Sequence, residues 1–201
     1  MGKKYGLSQA PVFKEAGDIY ETSPYGEKRG NYIHKGVDVV RNIGRNTTAT
    51  IVAIADGRVI AVKNTVKGVD HVKNLEGNYV SIDHGDGLVS KYFHLAYGTI
   101  PGTVLVGKKI AKGTVIGKMG NTGDSYGAHL HFQFEKNGVP IDGAPYLKGQ
   151  KVIGGLTKDD YIKLIVDKVG YDNKPNAIAA LKMVQHSHPL DFFRKMYEAM
   201  K

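Results

Sequence analysis

Residues 117–135 read GKMGNTGDSYGAHLHFQFE, a glycine-rich loop that runs into a strand. From His129 onward polar and apolar side chains alternate, so the imidazoles of His129 and His131 share one face of the strand. The opposite face is apolar and is expected to lie against a core; it consists of Leu130, Phe132 and Phe134. The paired imidazoles indicate a metal site or an acid–base site, although a surface strand that happens to carry two histidines explains the pair equally well.

A second pair of potential ligands lies in residues 32–40, which read YIHKGVDVV. A helix would put His34 and Asp38 on one face, but Gly36 between them and the surrounding valines favour a strand. We therefore expect a loop to carry His34 into a strand that presents Asp38. The spacing alone is weak evidence. Together with His129 and His131, however, it offers the imidazole and carboxylate ligands that Zn²⁺ takes where thiolates are absent.

The chain between residues 47 and 147 predicts short strands joined by tight turns. Residues 47–64 form two strands hinged at Asp56-Gly57, and residues 78–95 form a hairpin around Gly85-Asp86-Gly87. Asn137-Gly138 signals a further hairpin turn, and the chain holds 26 glycines. No long helix is required before residue 147, so the predicted fold is mainly β with an antiparallel sheet.

His94 belongs to the second strand of the 78–95 hairpin. Strict alternation places it on the face of Ser90 and Tyr92, with Phe93 and Leu95 on the other face. From its position alone, His94 is equally a core histidine, a metal ligand or an acid–base group.

The remaining histidines are expected to be structural or solvated. His71 lies in a polar loop and His84 in a turn, and both are expected at the surface. His186 and His188 form a His-Ser-His sequence between two predicted helices. A second metal site there is the less favoured alternative to an exposed connection.

Residues 151–201 change to a helical pattern. Apolar residues recur at helical spacing from Ile162 to Val169, Gly170 is placed as a C-terminal stop, and Pro175 can open a second helix. The sequence thus predicts two domains, a β-domain over residues 1–150 and a small C-terminal α-helical appendage over residues 151–201. The appendage is expected to serve targeting or packing.

Composition excludes several classes of protein. The absence of cysteine rules out a disulfide scaffold and a cysteine nucleophile. The net charge is +9, but it is spread along the chain without a basic run or basic helix, so nucleic acid is not the expected partner. No apolar run has membrane-spanning length, and the N-terminus shows no secretion signal.

Three ordered motifs resemble the M23 (lysostaphin/LytM-type) zinc metallopeptidases: HKGVD at residues 34–38, YFHL at 92–95 and SYGAHLHF at 125–132. The intervening segments ADGRV, GNYVSIDHG and VIGKMGNTG are also similar to that family. The resemblance covers residues 20–148 and leaves out the appendage.

The resemblance implies an antiparallel β metallopeptidase domain with an open groove. It also implies one Zn²⁺ ion held by His34, Asp38 and His131, with His94 and His129 assisting catalysis. The implied substrate is a peptide of bacterial peptidoglycan, either a cross-bridge or a stem peptide. The zinc would activate a water molecule and polarise the scissile carbonyl. A diffuse positive charge suits an anionic wall polymer, but an ordinary basic surface explains it as well.

Two alternatives compete with an active endopeptidase. One is a catalytically silent module of the same fold that binds the wall or activates amidases, and the other is a structural zinc domain. The three implied ligands and the two assisting histidines are all present, which argues against a silent module. The motif supplies only three metal ligands, whereas a structural zinc site normally has four, which argues against a structural domain. The expected place of action is extracellular, at the cell wall. Without a visible signal, delivery by a phage, as a lysin or tail protein, or origin as a fragment of a secreted protein is expected.

Overall fold

A computed structural model gives the fold of the chain, which divides into two compact units, Met1–Lys148 and Gly149–Lys201. The structure describes residues 3–5, 11–15, 17–41, 49–151 and 153, together with residues 162, 165–167, 169–170, 175, 181, 192, 195–196 and 199.

The first unit is built on an antiparallel sheet. Its strands, in chain order, are β1 (Lys3–Lys4), β2 (Ile19–Ser23), β3 (Lys28–Arg29), β4 (Tyr32–Ile33), β5 (Val37–Arg41), β6 (Thr50–Val52), β7 (Gly57–Lys63), β8 (Asn78–Asp83), β9 (Leu88–Leu95), β10 (Lys109–Ile110), β11 (Val115–Lys118), β12 (Leu130–Lys136) and β13 (Val139–Ile141). One helix, α1 (Ala144–Leu147), completes the described elements of this unit.

The large sheet has the order β1-β2-β5-β12-β9-β8-β7-β10, with β13 paired to β12. Two small sheets, β6–β11 and β3–β4, flank it. Every recorded strand pair is antiparallel, which confirms the predicted mainly β fold. The order places β12 between β5 and β9, so the three predicted motifs meet at the centre of the sheet.

Strand β12 divides the unit into a core face and a polar face, as its alternation predicts. Leu130, Phe132 and Phe134 are fully buried. Burying a large apolar side chain contributes about 1.5–3 kcal/mol, so this face anchors the strand firmly. His131 consequently points to the other face, where it is paired in register with Asp38 of β5 and Phe93 of β9.

The two strands predicted on either side of Asp56-Gly57 are present as β6 and β7, but they do not pair with each other. Strands β6 and β7 do flank this turn, but β6 pairs with β11 and β7 pairs with β8 and β10. The turn therefore passes the chain from the small β6–β11 sheet to the large sheet.

Strand β9 bulges before its end, and the bulge overturns the predicted orientation of His94. Val80 pairs with Tyr92 and Asn78 with Leu95, so β9 contains one residue more than β8 over this span. His94 adopts a positive φ of 61° and turns away from the core face that holds Tyr92. Bulges re-aim side chains in this way, which strict alternation cannot anticipate.

Two loops pack backbone against backbone beside the bulge. Gly123 accepts a hydrogen bond from Asp70 N–H (2.8 Å), and its own N–H donates to Gly68 (3.0 Å). A Cβ at Gly77 would lie 2.2 Å from the carbonyl oxygen of Thr122, and Gly77 has a φ of +63°. Only glycine permits this approach, so loop 65–77 forms a wall with the glycine-rich loop.

The described residues of the second unit are helical from Ile162 to Val169, and Pro175, Leu181 and Phe192 are also in helices. Gly170 has a φ of 71°, and its N–H donates to the carbonyl of Val166 (3.2 Å). This left-handed residue ends the helix where the sequence predicts a stop. Among the described residues, no helix has the length and apolarity needed to cross a bilayer.

Candidate metal centre

Three side chains from different parts of the chain converge on one point. His34 Nε2 lies 3.1 Å from Asp38 Oδ1 and 3.0 Å from His131 Nδ1, and His131 Nδ1 lies 2.8 Å from Asp38 Oδ1. Donor atoms bonded to a tetrahedral zinc at about 2.0–2.1 Å are about 3.3 Å apart, so the triangle is close to the required size. These three residues could hold a metal ion.

The tautomer of His34 supports this assignment. Its Nδ1 lies 2.8 Å from the carbonyl oxygen of Pro24. A carbonyl only accepts hydrogen bonds, so Nδ1 carries the proton and a neutral ring turns the lone pair of Nε2 towards Asp38 and His131. A metal-binding histidine is commonly oriented by such a bond from its other nitrogen.

Gly36 makes room for His131. A Cβ at this position would lie 2.5 Å from His131 Nε2 and 2.8 Å from the backbone oxygen of Phe132. Any side chain here would displace the ring of a potential ligand. The glycine within the HKGVD motif is therefore part of the site.

Asp38 is held on both carboxylate oxygens. Oδ1 faces the histidines, and Oδ2 accepts a hydrogen bond from Arg29 Nη2 (2.8 Å). Burial alone would raise the pKa of Asp38, but the adjacent imidazoles of His131 and His34 and nearby positive charge outweigh burial and hold the pKa well below its usual range. Asp38 is consequently an anion, the state that a metal ligand needs.

A hydrogen-bonded group in the β2–β5 connection supports both ligands from outside. Arg29 also donates to Ser23 Oγ (2.5 Å) and, through Nε, to Glu27 Oε2 (3.0 Å). Ser23 Oγ contacts both Glu27 and His34 Nδ1. Sequence spacing gives no signal for these three residues, because their importance comes only from contacts made after folding.

His94 and His129 lie next to the potential ligands with their rings 4.7 Å apart between centroids. His94 Nδ1 donates to the carbonyl of Thr122 (2.7 Å), and His129 Nδ1 donates to the carbonyl of Gly127 (2.8 Å). When either ring is neutral, its Nε2 is therefore the free acceptor. His129 Nε2 lies 3.6 Å from Asp38 Oδ1, so it points into the centre.

Burial, reinforced by the neighbouring charge of His129, lowers the pKa of His94 to about 3. At neutral pH His94 is therefore uncharged and a weak base. Burial likewise lowers the pKa of His131, which favours the neutral imidazole that binds metals.

The centre opens into a groove of about 470 Å³. Its lining combines the site with two exposed tyrosines and one further carboxylate; the lining residues are Thr22, Ser23, Arg29, Tyr32, Asp38, Val40, His94, Asp124, Ser125, Tyr126, Gly127, Ala128, His129 and His131. Asp124, Ser125 and Tyr126 belong to the glycine-rich loop. Their closeness to His129 in sequence is the signal that could have indicated a role.

The other histidines lie outside the centre. His71 is exposed, as predicted, although its Nδ1 is 2.6 Å from Asp124 Oδ1. His84 is not a free surface residue: its Nδ1 donates to the carbonyl of Asp56 and its Nε2 contacts Ser90 Oγ, both at 2.7 Å. His84 lies at the turn, as predicted, but it is half-buried because the turn folds back over the start of β7. His186 and His188 fall outside the described residues.

Comparison with known proteins gives one family and several relatives. Residues 32–143 match Peptidase family M23. The peptidoglycan DD-endopeptidase ShyA of Vibrio cholerae is 32% identical over 111 residues, 54% of this chain and 22% of that protein. The murein hydrolase activator NlpD of Escherichia coli is also 32% identical, over 133 residues, 65% of this chain and 29% of that protein. The chain spans about a third or less of the length of these curated relatives.

A solved structure with the same fold is that of a zinc-containing peptidase from Vibrio cholerae. It is 26% identical and has a TM-score of 0.50, and the match covers 67% of this chain and 39% of that one.

Proposed function

The chain belongs to peptidase family M23, and from this membership we propose that it is a zinc-dependent endopeptidase that hydrolyses peptide bonds in bacterial peptidoglycan. One observation carries the proposal. A complete set of three metal donors lies in an open groove beside two imidazoles whose free nitrogens face the same space.

His34, Asp38 and His131 would hold the zinc, with Arg29 fixing the second oxygen of Asp38. The donor set carries one negative charge, so the bound metal would keep a net positive charge. When bound, zinc supplies the Lewis acidity that activates water and polarises the scissile carbonyl. Three protein ligands leave a coordination position for this chemistry, unlike a closed structural site.

His94 and His129 would carry out the proton transfers. Each ring is oriented by a carbonyl on Nδ1 and offers Nε2 to the groove. His94 starts neutral, so its Nε2 is free to take up the proton of the attacking water, and its low pKa means that it gives this proton up again readily. In its protonated form His129 also carries a proton on Nε2, which is directed towards Asp38 and is placed to stabilise developing negative charge and to pass to the departing amine; the proton taken from the water then restores His129.

The relatives support a wall substrate but leave the activity open. ShyA, by its name, cleaves peptidoglycan, whereas NlpD, by its name, activates murein hydrolases, and both are 32% identical to this chain. Identity therefore does not separate an enzyme from a silent activator or wall-binding module. The intact donor set favours the enzyme, and its proposed place of action is the cell wall.

The test is clearing of purified peptidoglycan, with and without chelator, followed by mass analysis of the released peptides. We expect zinc-dependent clearing by the native protein. His129→Ala and His94→Ala should bind zinc but lose activity by about 10²–10⁴-fold, whereas His131→Ala should lose zinc itself. Zinc binding without clearing of walls of several cross-bridge types would favour the silent module.

A further inference from the structure

Tyr126 is an unusual residue for the edge of a polar groove. Its side chain is 92% exposed, more than any other large apolar or aromatic residue of the described chain. One face of the ring stacks on His71, with centroids 4.8 Å apart and planes 24° from parallel. The rest of the ring is open to solvent beside the proposed zinc centre. An ordered, solvent-exposed aromatic face is a common element of binding sites.

Asp124 places a carboxylate beside this ring. It lines the same groove, and its Oδ1 accepts a hydrogen bond from His71 Nδ1 (2.6 Å). Within the described part of the chain its other oxygen has no hydrogen-bond partner. The other groove-lining charges, Arg29 and Asp38, are paired with each other at 2.8 Å. Asp124 is thus paired only with His71 among the described residues, and its second oxygen is the part of the carboxylate that could contact a ligand.

The backbone holds these side chains in place. Asp124 N–H donates to the carbonyl of Leu75 (2.9 Å), and Val69 forms a bridge with Gly123. A Cβ at Gly123 would lie 2.3 Å from the N–H nitrogen of Gly77. The close packing of the two loops fixes the backbone at Asp124, and the stack on His71 orients the ring of Tyr126, so little entropy is lost on binding.

We propose that Tyr126 and Asp124 form a subsite for an ammonium group of the substrate, a free side-chain or terminal amine of the wall peptide close to the scissile bond. This inference rests on the proposed function and names its substrate class. A cation is attracted to the face of an aromatic ring, and a carboxylate adds a direct partner. Neutral oligoglycine would make neither contact.

The direction in which wall binding changes when the wall amines are neutralised distinguishes the subsite from the overall charge of the protein. The chain carries a net charge of +9, so its overall field attracts anions and repels an amine-rich wall. Capping the wall amines by acetylation leaves the existing amide bonds intact and makes the wall more anionic. Overall charge would then strengthen binding, whereas loss of the subsite contact would weaken it.

The experiment compares initial rates on purified walls before and after acetylation of their free amines. For the native protein we expect about a fivefold to tenfold lower rate on acetylated walls, a combined effect of a cation–π contact and a partly exposed ion pair. Asp124→Asn should cut both walls at nearly equal rates. Tyr126→Ala should lose about threefold on native walls and Tyr126→Phe little. Tyr97→Ala, which removes a 49% exposed tyrosine outside the groove lining, should behave like the native protein.

Co-sedimentation of His94→Ala with each wall provides a readout that does not need cutting. We expect His94→Ala to bind acetylated walls more weakly than native walls, and we expect this difference to disappear when Asp124→Asn is added. That result would support the subsite even if no wall is cut and the proposed function fails. Equal or stronger binding to acetylated walls, or a loss that persists in the Asp124→Asn variant, would overturn the subsite while leaving the endopeptidase proposal intact.

Discussion

At the scale of single residues, the site brings together lone pairs that repel one another unless a cation or a proton lies between them. His34 and His131 direct nitrogens at the same carboxylate oxygen of Asp38, with every separation near 3 Å. The surrounding carbonyl and guanidinium groups fix which nitrogen and which oxygen face inward. A site prepared in this way needs little rearrangement to accept a metal.

Gly36→Ala tests the space beside His131. The new methyl group would meet His131 Nε2 at 2.5 Å and the rigid backbone oxygen of Phe132 at 2.8 Å, so the ring must move. We expect zinc affinity to fall by about 10–100-fold, measured by competition with a chromophoric chelator. Gly102→Ala is the matched control, because a Cβ there meets nothing within 4 Å. Unchanged affinity in Gly36→Ala would show that the site tolerates a displaced ring.

At the scale of elements, a chain of hydrogen bonds ties the turn after β8 to the interior. Ile54 N–H donates to Tyr92 Oη (3.0 Å), Tyr92 and Ser90 are linked at 3.1 Å, and Ser90 Oγ contacts His84 Nε2. Since His84 Nδ1 must donate to the Asp56 carbonyl, its Nε2 accepts from Ser90. The network is complete only while His84 is neutral.

This network gives stability a defined dependence on pH. Burial lowers the pKa of His84 below its ordinary value of 6.5. As the pH falls through about 6.5, the unfolded chain gains a proton at this position before the folded protein does, so the free energy of unfolding decreases. The contribution is present above pH 6.5 and is lost towards the lower pKa of the folded state.

We expect urea titrations between pH 8 and pH 5 to show a steeper loss of stability for the native protein than for His84→Gln. Other buried histidines act equally in both proteins, so the difference between the two curves isolates His84. If the free energy of unfolding falls equally with pH in the native protein and in His84→Gln, His84 is not the source of the pH dependence.

At the scale of the whole molecule, the hydrophobic core rather than the metal determines the β-fold. Tyr92, Phe132, Phe134 and Leu130 are fully buried on the face away from the centre. Metal removal should therefore leave the far-ultraviolet circular dichroism unchanged, in contrast to small zinc domains that unfold without metal. Zinc at 100 times its dissociation constant should add about 2.7 kcal/mol to the free energy of unfolding. Collapse of the β signal on chelation would favour a structural zinc role.

We propose that the second unit, Gly149–Lys201, targets the protein to walls rather than supporting catalysis. Removal of residues 156–201 should lower activity on whole cells more than activity on a soluble peptide, because only the former needs attachment to an extended surface. Rates on both substrates, normalised to zinc content, provide the measurement. An equal loss on both would favour a structural role.

The sequence by itself was sufficient for the family and for the central strand. Alternation in β12 predicted which side chains are buried, because a two-residue period and one apolar face admit a single orientation. The paired histidines and the HKGVD motif indicated the potential ligands, since ligand chemistry restricts the residue types. The β-rich architecture followed from glycine turns and short strands, and the stop at Gly170 from the need for a left-handed residue.

Only the tertiary structure decided the rest. The bulge that turns His94 towards His129 arises from a register mismatch between β8 and β9, which one strand alone does not reveal. The support of Asp38 by Arg29 depends on a connection folding back over the site. The wall that presents Tyr126 exists because two distant loops meet through glycines. Each of these features joins residues far apart in the chain, and long-range contacts are set by the packing of the whole domain rather than by any local pattern.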